Sequence, residues 1–280
     1  MVFRHAEPAD RSTLSADRSL SSHDAESTAL LESACGAASP ASSVREMPSR
    51  LLALTFDAHD PDRLAAFWAG VLGRQVLDDP CGALLPGSDT QVGLRFVPAR
   101  TEKVGLNRVH LHLTSTSPAD QQHTVAAALE LGARHLDVGQ LPEEGHVVLA
   151  DPEGNEFCVI EPGHSFLAGC GFLGELACDG TRQIGLFWAE ALGWPLVWDE
   201  DQETAIQSPH GGTKVAWGGP PVAPKHARNR QRFDLDMTDA DPTAEIDRLV
   251  ALGATRLGST GDGAVELADP DGNEFCLTHG

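Results

Sequence analysis

Apolar and polar positions change period several times along this chain, and each change marks an element. Leu51–Asp57 reads as a strand. Asp60 then suits a helix N-cap and Pro61 its first turn; Leu64, Phe67, Trp68 and Val71 fall on one helical face, and Gly73 ends it. Short strand-like runs follow to about Val97. The pattern restarts with a strand at Val109–Leu113 and a helix opened by Ser117-Pro118, carrying Val125, Leu129 and Leu131 and closed by Gly132. Three short strands are predicted near 134–138, 146–150 and 156–160. The unit is therefore strand, helix, three strands, and the same pattern returns twice more further on.

That return is an internal repeat. Leu149-Ala-Asp-Pro-Glu-Gly-Asn-Glu-Phe-Cys158 recurs as Leu267-Ala-Asp-Pro-Asp-Gly-Asn-Glu-Phe-Cys276, with one difference in ten positions. Phe67-Trp68-Ala69 recurs as Phe187-Trp188-Ala189, and Leu131-Gly-Ala133 as Leu252-Gly-Ala254. The expected organisation is a tail (1–48), one domain (49–161), a Gly-rich linker (162–171) and a second domain (172–280). The Ser- and Ala-rich tail is expected to be disordered, with one weak helical turn near 28–33, because it has too little apolar surface to offset its ordering entropy. Met47 is a candidate start site.

Charge narrows the partners. Lys and Arg number 20 against 41 Asp and Glu, a formal charge of -21. Such a chain repels nucleic-acid backbones and anionic membranes. No apolar run reaches transmembrane length and no secretion signal is visible, so the expected location is cytoplasmic. Scattered cysteines argue against a disulfide framework, and the Arg-, Ala- and Gly-rich composition hints at a GC-rich bacterial genome.

Together, Asp60–Gly73, Leu131-Gly-Ala133, Val148–Cys158 and their second-half counterparts resemble the vicinal oxygen chelate superfamily, which includes glyoxalase I, bleomycin-resistance proteins and ring-cleaving dioxygenases. The Phe-Trp helix and the Asn-Glu-Phe-Cys ending are most similar to its uncharacterised glyoxalase-like branch. The resemblance implies an α+β fold: four βαβββ modules paired into two tandem glyoxalase-like domains, each with a curled mixed sheet around a cleft. It also implies divalent-metal ligands on the first and last strands of each module. Counting to those positions gives Ala53, His110 and Cys158 in the first half, and Leu173, Asp234 and Cys276 in the second. Few of these are the hard donors such a metal needs, so no cofactor is expected.

The polar residues leave alternatives open. Strand alternation puts His110 with His112, Asp234 with Asp236, Glu156 with Cys158 and Glu274 with Cys276. Asp234 and Asp236 are read as the second-half equivalents of His110 and His112. A noncanonical metal site from His110, His112, Glu156 and Asp57 is one alternative. A metal-free enzyme with His110 as general base is another. The first-ranked reading is a cleft that binds a small aromatic or antibiotic-like molecule, with Asp57, His112, Glu156, Cys158, Asp234, Asp236, Glu274, Cys276 and Trp217 as lining candidates. The basic run Lys225–Arg232 reads as a solvated linker that could draw an anion to the second cleft. Four modules in one chain make a monomer feasible; a homodimer stays open.

Overall fold

The computed structural model describes residues 49–141, 143–237, 241–260 and 263–278. The tail, its weak helical turn and Met47 lie outside these residues. The first module comprises β1 (Arg50–Ala58), α1 (Pro61–Leu72), β2 (Leu77–Asp79), β3 (Gly82–Leu85) and β4 (Gly93–Pro98). The second comprises β5 (Val109–Leu113), α2 (Pro118–Glu130), β6 (Arg134–His135), β7 (Val147–Ala150) and β8 (Glu156–Val159). The third runs β9 (Leu173–Cys178), α3 (Arg182–Leu192), β10 (Leu196–Glu200), β11 (Glu203–Gln207) and β12 (Lys214–Trp217). The fourth runs β13 (Gln231–Asp236), α4 (Pro242–Leu252), β14 (Thr255–Ser259), β15 (Val265–Ala268) and β16 (Glu274–Thr278).

Helix ends follow the local chemistry. Asp60 accepts a hydrogen bond from Arg63 N, Ser117 from Asp120 N and Asp241 from Thr243 N, each satisfying a donor that the helix leaves open. Gly73 closes α1 at φ 63°, a left-handed conformation that costs a residue with a Cβ.

The four modules build two open, eight-stranded mixed sheets. Each sheet takes one module from either half of the sequence, a pairing that the repeat did not reveal. One sheet has the order β14-β15-β16-β13-β1-β4-β3-β2, the other β10-β11-β12-β9-β5-β8-β7-β6. First strands meet antiparallel at each centre, with Leu54 opposite Phe233 in one and Leu111 opposite Leu176 in the other. The short link from β8 to β9 explains the choice. It sets the second and third modules side by side and leaves the outer two for each other.

Within a half, the modules are joined on the helix side. Trp68 of α1 packs on Phe157 of β8 at 5.0 Å between centroids, and Trp188 of α3 on Phe275 of β16 at the same distance. Both indoles are fully buried, and their N–H groups need acceptors. Asp151 and Asp269, from the repeated Asp-Pro turns, supply them at 3.1 and 3.3 Å. The same turns cap the partner helices. Glu153 accepts from His59 N and Asp60 N, and Asp271 from Thr181 N. One continuous apolar core includes residues of all four helices and both sheets. No helix among the described residues is long and apolar enough to cross a membrane.

Candidate functional site

Each sheet has a face turned away from the helices. In the sheet of the second and third modules, Leu111, Phe157 and Leu176 face the core, so alternation sends His110, His112, Glu156, Cys158 and Glu175 to the opposite face. His112 lies between Cys158 on β8 and Glu175 on β9, and its Nδ1 meets Glu175 Oε2 at 2.7 Å. Burial alone would lower the His112 pKa. The Glu175 carboxylate and then the Cys158 thiol outweigh it and raise the value to about 10. His112 is therefore an imidazolium at neutral pH, with no lone pair to offer a metal. His110 goes the other way. Burial, followed by repulsion from His112, lowers its pKa to about 3, so its imidazole is neutral.

Glu156 is held by the protein. One oxygen takes the Lys103 ammonium and the other accepts from Asn107 N at 3.2 Å. Glu274 repeats this with Lys225 at 2.5 Å and Asn229 N at 3.2 Å. Lys225 is thus an internal clamp rather than part of a solvated run. The signal for it was present, because Lys103-x-x-x-Asn107-Arg108 recurs as Lys225-x-x-x-Asn229-Arg230.

The linker, expected only to connect, packs on this same face. Leu167 and Cys170 join Val148, Cys158 and Ile160 in a second apolar cluster. Phe166 sits edge-on to Trp198 at 5.9 Å, and the Lys214 ammonium lies 4.1 Å over its ring. Trp198 is therefore the cleft-side tryptophan. Trp217, expected to line a cleft, shares the alternation phase of core-facing Val215 and packs toward Gly185 of α3.

Asp57 belongs to the other sheet, which separates it from His110, His112 and Glu156. There it pairs with Arg232 at 2.6 Å. Asp234 accepts from Thr55 Oγ1 and from Arg95 Nη1 at 2.7 Å, Arg95 also meets Asp79 at 3.1 Å, and Arg50 meets Asp236 at 2.9 Å. Burial raises the Asp234 pKa against the pull of Thr55, Arg232 and Arg95. Cys276, beside Asp234 in register, is pushed to about 11 by burial and then by that carboxylate. A thiol with a pKa of about 11 is a poor nucleophile at neutral pH.

Register also revises an equivalence. His112 faces Cys158, and Asp234 faces Cys276, so His112 corresponds to Asp234 rather than to Asp236. His112 lies five positions before the cap Ser117, whereas Asp234 lies seven before Asp241. Counting back from the helix therefore slipped by two.

The polar residues singled out from the sequence form two separate, internally paired sets. The donors of the noncanonical metal site read from strand alternation do not fit together: His112 is protonated, Glu156 is clamped, and Asp57 is elsewhere. Among the described residues, no three His, Cys, Asp or Glu side chains converge to hold a metal ion.

Open space lies at the loop end of the helix-free face. A cavity of about 810 Å³ is bounded by His110, Asp179, Glu203, the loop Glu102–Arg108 and the loop Gly218–Gln231. Val104, Leu106, Pro220, Pro221, Val222 and Pro224 give it apolar walls, and Lys103, Arg108, Lys225, Arg228 and Arg230 bring cations. Both loops join modules, a place where only the basic run had pointed.

The model of the family described as "Glyoxalase-like domain" matches residues 53–160 and again 175–278. The chain belongs to this glyoxalase-like family. Its fold is similar to that of glyoxalase I from Zea mays, with a TM-score of 0.60 at 15% identity over 82% of this chain and 92% of that one. It is also similar to a putative dioxygenase from Bacillus subtilis subsp. subtilis str. 168, with a TM-score of 0.54 at 15% identity over 83% and 85%. No curated protein matches the sequence. At these identities the likeness concerns fold, which establishes the vicinal oxygen chelate architecture of this glyoxalase-like chain.

Proposed function

We propose that this glyoxalase-like protein binds a small, planar organic molecule in the cavity between its module-joining loops. The observation that supports this reading is the cavity itself, whose volume of about 810 Å³ lies within the usual range for drug-sized ligands. Apolar proline and aliphatic walls with a few convergent polar groups suit an aromatic body. His110 contributes a neutral imidazole at the cavity edge, able to donate or accept a hydrogen bond.

Two alternatives draw less support. A general base works best with a pKa near the working pH, and His110 at about 3 is too weak an acceptor. A metal-dependent lyase or dioxygenase needs donors that are here engaged with Glu175, Lys103 and Asn107. The binding reading also suits a monomer, since each eight-stranded sheet draws all its strands from one chain.

A thermal-shift screen against planar aromatic compounds tests it. A ligand at 100 times its Kd stabilises by about 2.7 kcal/mol, a shift of several degrees. Ala223→Trp, which fills the cavity from its loop wall, is expected to abolish the shift. A broad panel with no stabilising compound, or shifts that survive Ala223→Trp, would overturn the reading.

A further inference from the structure

Repeat symmetry assigns the two arginines of the cavity different duties. Arg108 and Arg230 follow equivalent asparagines, Asn107 and Asn229, and both line the cavity. Arg230 has a carboxylate partner: its Nη2 meets Glu153 at 3.2 Å, and its guanidinium also donates to the Asp57 carbonyl. The residue equivalent to Glu153 is Asp271, one methylene shorter. Asp271 is taken by Thr181, accepting from its backbone N at 2.7 Å and its hydroxyl at 3.1 Å. Arg108 is left with two neutral acceptors, Asn273 Oδ1 at 3.0 Å and the Ala223 carbonyl. Its charge is therefore oriented, and among the described residues no ion pair neutralises it. Lys103, Lys225 and Arg228, the other cations of the cavity, pair with Glu156, Glu274 and Glu266.

We propose that Arg108 is the anion anchor of this cavity, and that the ligand is an aromatic molecule bearing a carboxylate or sulfonate. This rests on the binding role proposed above and adds its chemical class. A fixed guanidinium in a partly dry pocket gains a charge-assisted hydrogen bond from such a group, and a neutral analogue cannot supply it. The half-buried setting keeps that gain from being screened as it would be on an open surface. The molecule's -21 charge works against anions at long range, so the preference must come from this local group.

Two dyes with one scaffold test the idea on the full chain: anilinonaphthalene sulfonate and its neutral counterpart, N-phenylnaphthylamine. The expected result is binding of the sulfonate once per chain, about 10- to 100-fold tighter than the neutral dye. Arg108→Gln should erase that preference by weakening the sulfonate far more than the neutral dye. Asp271→Glu, which offers Arg108 the carboxylate that Arg230 already has, should weaken sulfonate binding in the same sense and carries the test if Arg108→Gln does not fold. Equal affinity for both dyes would overturn the anion assignment while leaving the binding role standing. A preference that survives Arg108→Gln would overturn the role of Arg108. Binding of neither dye would overturn the binding role itself.

Discussion

Replacing Glu175 with Gln isolates the buried charge pair beneath the linker. The two side chains are nearly isosteric, so packing is conserved while the carboxylate charge is lost. Glu175 is 1% exposed and His112 6%, so solvent screens the pair little. The His112 pKa of about 10 exceeds the ordinary 6.5. A raised folded value means that the native state holds its proton more tightly than the unfolded chain does. The stability from this linkage is fully present below pH 6.5 and is lost as pH rises through about 10. At pH 7 the difference corresponds to about 4 kcal/mol. Glu175→Gln removes the main raising influence and leaves burial to depress the imidazole. Urea unfolding should show a loss of about 3–4 kcal/mol at pH 6–7 that shrinks to about 1 kcal/mol near pH 10. Proton NMR should show no His112 titration between pH 5 and 8 in the parent protein. A loss equal at both pH values, or a His112 imidazole titrating near 6.5, would refute the argument.

Three further outcomes follow from the fold. Asp151 and Asp269 have pKa values raised by burial to about 6, so the native state binds more protons than the unfolded chain between pH 4 and 6. Stability should therefore fall by up to about 3 kcal/mol per carboxylate as pH rises through that window. Urea midpoints should show the fall, and Asp151→Asn should flatten it. Gly212 sits at φ +87°, where an added Cβ would come 1.7 Å from the Thr90 carbonyl. Gly212→Ala should cost more than about 2 kcal/mol in chemical unfolding; a loss below 0.5 kcal/mol would contradict the close approach. Segments 49–161 and 172–280 produced separately should each lack a cooperative unfolding transition, because β1 and β5 lose their central partners. Mixed, they should form a one-to-one complex by size-exclusion chromatography, and cooperative unfolding of either segment alone would sink this expectation.

Much of the fold was legible because local chemistry and hydrophobic period agree. Asp60, Ser117 and the closing glycines mark helix ends, and the Asp-Pro-x-Gly-Asn turns mark hairpins, without any need for distant contacts. Strand partners were not legible. The first strands β1, β5, β9 and β13 are all central and apolar on the helix face, so alternation cannot tell which pair meets. Trp217 is a different kind of miss. Lys214-Val-Ala-Trp217 alternates, and once Val215 is taken as core, Trp217 must follow it. The two glutamates of the Asn-Glu-Phe-Cys ending looked available for ligand only because the lysines that clamp them lie about 50 residues upstream.

The helix-free faces show why a glyoxalase-like fold need not keep its function on the strands. His112 and Asp234 occupy equivalent places, one on each sheet, and their ion pairs have opposite polarity: imidazolium with Glu175 carboxylate, carboxylate with Arg95 guanidinium. Each floor is thus neutralised by its own side chains, and breaking either pair would leave a buried charge, a cost of several kcal/mol. A ligand bound there would have to replace those contacts one for one. The loop cavity demands no such exchange, since its walls are already apolar and Arg108, which has no ion-pair partner among the described residues, is already oriented. Where two repeats are nearly identical, a position at which they differ is the informative one. A single methylene, Glu153 against Asp271, separates an arginine committed to the fold from one left available to a ligand.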